Sequence, residues 1–199
     1  MYKLEKAHYL RRVKDSERKP EFGKLLKKQT FVDSMNVLVV DDKMHLVSVA
    51  YALLASGTRG VDLTRISRIS KHAELRATAL IPFDKTNTSF KTVELDYQSF
   101  DDSWLVPNLN RKTLFDWLGT SMVTQNDLKQ LRLSCFFRPH ELRATRAILL
   151  ILDGLSKEQV MNKVGWKSEC SLLRYVRSDF DLIAACESYE AVEALVNDE

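Results

Sequence analysis

At 199 residues, 45% of them hydrophobic, the chain fits one domain of ordinary size and can bury a sizeable core. No apolar run is long enough to span a bilayer, the first residues (M-Y-K-L-E-K-A-H) are not a secretory signal, and three cysteines without a C-x-x-C pair argue against a disulfide framework or a structural zinc site. The net charge is only +3 but uneven: residues 1–28 carry ten Lys/Arg against four acids, whereas residues 179–199 carry seven acids and no Lys or Arg. A basic arm on a basic body suits a polyanion such as DNA.

Residues 1–30 are polar and basic and read as an arm or linker outside the core. Residues 31–40 lead into Asp41-Asp42, a helix-cap signal. Met44 to Ala55 is apolar on most faces, is long enough for a buried helix, and stops at Ser56-Gly57. Next comes S-G-T-R-G-V-D, which sets Arg59 and Asp62 at helical spacing, so that the acid can orient the arginine. By itself this is equally an exposed surface pair.

Leu75–Phe83 and Ser89–Leu95 have strand composition around D-K-T-N-T, a turn that holds Lys85. Residues 96–110 read as loop. Arg111–Leu118 and Asn126–Leu133 read as helices. Arg138-Pro139 interrupts regular structure before His140. Glu141–Leu152 is then a strong helix, with Leu142, Ile148, Leu149 and Leu152 on its apolar side. S-K-E-Q at 156–159 is a capping box for a helix ending near Gly165, and a further helix from about Ser168 carries Tyr175. Leu182–Val196 reads as one last amphipathic helix with an acidic face.

Taken together, G-T-R-x-x-D after a buried helix, a lysine in a β-turn, H-E-L-R at 140–143 and G-W-x(8)-Y at 165–175 resemble the tyrosine recombinase (lambda-integrase) superfamily. The resemblance covers residues 31–177, a whole catalytic domain. Trp166 follows Arg143 by 23 residues and Tyr175 follows Trp166 by nine, separations that resemble the family's. At the position of Trp166 the family most often has His; tryptophan there resembles the Cre-type branch.

The resemblance implies an α+β, mainly α fold, a helical bundle with a small antiparallel sheet. It implies a metal-independent, cofactor-free DNA strand transferase. In it Arg59 and Arg143 clamp the phosphate, and His140 binds the phosphate or manages the nucleophile's proton. Trp166 donates its indole N–H, and Lys85 protonates the leaving oxygen. Tyr175 attacks to give a 3′-phosphotyrosyl link, and Asp62 orients Arg59. Lys91 on the next strand is an alternative to Lys85. The implied partners are double-stranded DNA, further copies in a synaptic tetramer on two DNA sites, and accessory DNA-bending proteins. The implied setting is the cytoplasm or nucleoid, or a host cell if a phage or mobile element encodes the chain.

Residues 178–199 would follow as an acidic C-terminal helix, packed on its own domain or exchanged between protomers. Both a minimal recombinase and a catalytic fragment of a longer integrase remain open. Two other readings share some of the same residues. Residues 154–176 also resemble the second helix-turn-helix of AraC-type regulators, and telomere resolvases and type IB topoisomerases use similar residue sets.

Overall fold

A computed structural model of the chain describes residues 25–82, 90–117, 123–176 and 180–197. Two apolar helices organise it. The first, α2 (Met44–Ser56), is buried at every position from Val49 to Ser56 and at Leu46 and Val47. Such an all-round apolar helix has to sit in the centre. It packs on α1 (Lys28–Val40), α4 (Arg111–Trp117), α5 (Gln125–Ser134) and α6 (Glu141–Leu152). The second is α6, which also receives α7 (Lys157–Val164), α8 (Glu169–Tyr175), α9 (Phe180–Ala184) and α10 (Tyr189–Asn197). No helix among the described residues is long and apolar enough to cross a membrane.

Against the helices, through its third strand, packs an antiparallel sheet of order β1-β2-β3, formed by β1 (Arg68–Ala73), β2 (Arg76–Pro82) and β3 (Phe90–Asp96). Strand alternation buries Ala77, Ala79 and Ile81 of β2 and Val93 and Leu95 of β3. Ala77 pairs with Leu95, Ala79 with Val93 and Ile81 with Lys91, so Lys91 shares the side of β3 that Val93 and Leu95 bury. β3 packs on α2, which fixes the sheet beside the end of that helix. A one-turn helix, α3 (Gly60–Leu63), bridges α2 and β1, and the Arg65 guanidinium behind it donates to the Pro82 carbonyl at 2.7 Å.

The mainly helical bundle with a small antiparallel sheet is the fold expected from the sequence, with three local corrections. β1 was not foreseen: nearly all of it is exposed, so it shows no alternation of apolar and polar residues. The basic arm ends before residue 30, because Leu25 and Leu26 are buried and α1 begins at Lys28. The single C-terminal helix is two, α9 and α10, because Ser188 opens a new one: its hydroxyl accepts from the Ala191 N–H and its carbonyl from the Val192 N–H.

The C-terminal helix also sits on its own domain. Tyr189 is buried, donates to the Leu26 carbonyl at 2.8 Å and shares a 3.3 Å hydrogen bond with the Thr145 hydroxyl. Its ring meets Trp104 edge-on at 4.8 Å, Glu190 forms an ion pair with the Lys28 ammonium, and the Glu193 carboxylate accepts from the Lys28 backbone N–H at 2.5 Å. The acidic face thus closes over the one basic residue that opens α1.

Candidate active site

Each element delivers its site residue by an identifiable local device. α2 ends at Gly57, whose φ of 61° lies in the left-handed region and turns the chain sharply. Thr58 is buried next to it, and Arg59 emerges exposed at the N-cap of α3. His140 holds the N-cap position of α6, so Arg143 lies within the first turn of that helix, where it is 4% exposed. The Ser156–Gln159 capping box starts α7, and Gly165 ends it in the left-handed conformation at φ 75°. That turn feeds Trp166 back over the bundle, with its N–H on the Met161 carbonyl. Tyr175 is the last residue of α8, which Leu172 anchors in the core.

These devices converge. The Tyr175 hydroxyl hydrogen-bonds with His140 Nε2, across 35 positions of sequence. The Tyr175 ring stacks on Trp166, with centroids 4.9 Å apart and planes 17° from parallel. On Trp166 also lies the Arg143 guanidinium, 5.2 Å from the ring centroid, a cation–π contact worth about 0.5–2 kcal/mol. Arg143 Nη1 donates to the Gly57 carbonyl at 2.9 Å. One of its five N–H donors is thereby used to orient the fork.

The electrostatics are those of an anion site. Partial burial, and behind it the charges of Arg143 and Arg59, hold the His140 imidazole below its ordinary value. It is therefore neutral at pH 7 and can accept a proton. Burial likewise presses the Arg143 guanidinium downward; Arg59 adds to this, while Tyr175 and Asp62 act in the opposite sense. An anion placed beside Arg143 would offset both its burial and the nearby charge of Arg59.

Six of the seven residues singled out from the sequence are described, and five of them, Arg59, His140, Arg143, Trp166 and Tyr175, gather here. Lys85 lies outside the described residues. Asp62 does not pair with Arg59 as expected. Its carboxylate accepts from Lys91 Nζ at 2.5 Å and from the Thr58 hydroxyl at 3.5 Å. The reason is the sheet register, which turns Lys91 toward α3, whereas Arg59 at the N-cap stays exposed. Sequence reasoning also missed the Gly57 carbonyl, for which the only signal was glycine at a helix stop two residues before an arginine.

No protein-family model and no curated protein matches the chain. Solved structures do. The XerH site-specific recombinase bound to palindromic difH substrate, in a post-cleavage complex, is 18% identical with a TM-score of 0.53, over 82% of this chain and 52% of that one. The XerH pre-cleavage complex with difH substrate is 14% identical with a TM-score of 0.52, over 77% of this chain and 50% of that one. The chain thus spans about half the length of the recombinase structures it matches, and what it shares with that half is their fold.

Proposed function

We propose that this chain is a tyrosine recombinase catalytic domain, which cleaves and rejoins double-stranded DNA through a 3′-phosphotyrosyl intermediate. The observation that carries the reading is the contact between Tyr175 and His140, made beside a buried arginine and a stacked tryptophan. The fold shared with XerH supports it.

In this mechanism Arg59 and Arg143 bind the non-bridging oxygens of the scissile phosphate, for which the planar guanidinium fork is well shaped. Trp166 can donate its indole N–H to a phosphate oxygen but has no acceptor, so it cannot serve as a base. Tyr175 Oη forms a bond to phosphorus while the P–O5′ bond breaks. The phenolic proton passes to His140 Nε2, which is neutral and already in contact with it. The departing 5′ oxygen takes a proton from a lysine: Lys85 by the family resemblance, with Lys91, held by Asp62, as the alternative. In the second step a 5′-hydroxyl attacks the phosphotyrosine and returns its proton to the lysine, while the bond from phosphorus to Tyr175 Oη breaks and Tyr175 recovers its proton from His140. One phosphodiester replaces another, so the exchange needs no ATP. Preorganised donors at the phosphorane-like transition state are the main source of rate, about 10²–10³ for each one in comparable sites.

The partners under this reading are double-stranded DNA and further copies of the chain in a synaptic tetramer on two sites. Phosphate contacts dominate such binding, so affinity should fall steeply with salt. A helix-turn-helix regulator would need an exposed recognition helix. α8 has seven residues, Leu172 within it is buried, and Tyr175 is bonded to His140, which favours the enzyme.

The test uses a randomised pool of nicked duplexes, in which the cleaved strand end diffuses away and traps the covalent complex. The wild type should retain labelled DNA through denaturation, and Tyr175→Phe should retain none. An adduct of equal yield from Tyr175→Phe, or none from the wild type, overturns the reading.

A further inference from the structure

One turn beyond Arg143, α6 carries a second buried arginine that the chemistry above leaves unused. Arg146 is 2% exposed, and its Nη1 has no hydrogen-bond partner. Among the described residues no carboxylate pairs with its guanidinium; Asp96, Asp153 and Glu94 act on it only through space. Other elements supply further cations to the same acids. Arg76 of β2 lies 3.5 Å from Asp96, and Lys163 of α7 lies 2.7 Å from Glu94. Burial pushes the Arg146 guanidinium down to about 10, against the pull of the three acids, so it is a cation at neutral pH. Burial raises Asp153, and Arg146 is the foremost charge that opposes this. Burying an ion costs several kcal/mol before pairing repays it, so a leucine or methionine here would serve simple packing better.

The stem of the same residue does something else. A Cβ placed on Gly57 would lie 2.7 Å from Arg146 Cγ and 3.1 Å from its Cβ. The stem is therefore the wall against which the Gly57 turn is set. That turn supplies the carbonyl that orients Arg143, and two residues later it delivers Arg59.

We propose that Arg146 is a positioning residue for the candidate site. Its stem fixes the Gly57 turn that holds Arg143 and carries Arg59. This rests on the reading of the site as a DNA-cleaving centre, but part of its test does not.

Arg146→Ala removes the stem beyond Cβ; Arg146→Met keeps an unbranched stem and removes only the charge. With the nicked-duplex pool at saturating concentration, Arg146→Ala should slow adduct formation by about tenfold or more, as a small misplacement of reacting groups does, with DNA affinity unchanged. Arg146→Met should keep most of the wild-type rate. A loss that only follows the fraction of folded protein, or no loss, overturns the proposal. The second measurement needs no DNA. Native-state hydrogen exchange at the Thr58 amide, which donates to the Ser56 hydroxyl at 3.2 Å, should speed up by about tenfold in Arg146→Ala but not in Arg146→Met, while exchange at Val160 stays unchanged. Unchanged protection at Thr58 overturns the proposal even if the wild type proves to form no adduct, whereas that absence by itself sinks only the cleavage reading.

Discussion

Replacing Gly57 with alanine puts a methyl group where the backbone is left-handed and where Arg146 already stands. The conformational part of the cost is common to any such glycine, about 1–2 kcal/mol for φ near +60°. The steric part is particular to this site. The new Cβ would lie 2.7 Å from Arg146 Cγ, a mid-stem atom held in a buried helix, so the helix or the turn has to move. Overpacking of that kind costs about 1–3 kcal/mol more. The chain contains its own control. Gly165 has φ 75° and nothing within 4 Å of its would-be Cβ, so Gly165→Ala incurs the conformational term alone. Urea denaturation of the two variants should therefore give a loss of about 2–5 kcal/mol for Gly57→Ala against about 1–2 kcal/mol for Gly165→Ala. Because the Gly57 carbonyl orients Arg143, Gly57→Ala should also slow adduct formation beyond its effect on stability. Equal destabilisation by both substitutions would refute the close approach of Arg146 to this turn.

Adduct formation should fall in acid with a midpoint below the free-histidine value of about 6.5, because the site holds the His140 imidazole neutral. The unfolded chain takes up that proton more readily, so stability also drains as pH drops from about 6.5 through the lower folded value; His140→Gln should remove both effects, and a persisting acid limb in that variant would count against the assignment. Lys85→Ala should slow cleavage of an ordinary phosphodiester and be rescued by a 5′-thiol leaving group, which needs no acid. Rescue of Lys91→Ala instead would move the role to Lys91. Tyr189→Phe strands the buried Leu26 carbonyl and should cost about 1–3 kcal/mol in denaturant unfolding, and no change would contradict the docking of α10 on its own domain.

The parts of this molecule that could be read from the sequence are those in which one local signal determines the outcome. Glu141–Leu152 and the Ser156–Gln159 box appear as foreseen because periodicity and capping act within a few residues. Gly57 and Gly165 could be read for the same reason. The failures share a different cause. β1 exists only through its pairing with β2, and nearly all of its surface is exposed, so no periodicity announces it. The Lys91–Asp62 pair depends on a strand register that opposes Ile81 to Lys91, which nothing in the sequence near either residue encodes. Arg146 reads in the sequence as one more helix charge, and only the packing of α6 against the Gly57 turn shows what its stem meets. The split of the C-terminal segment into α9 and α10 turned on a single serine cap within an otherwise amphipathic run.

Tyr175 is the residue on which the functional reading turns, and the site of covalent attachment tests it most directly. The adduct trapped on the nicked-duplex pool should be digested and the DNA-linked peptide sequenced by mass spectrometry. The expected result is a single linkage, through the phenolic oxygen of Tyr175 to a 3′-phosphate. Attachment at another tyrosine, at a serine, or to a 5′-phosphate would contradict the account.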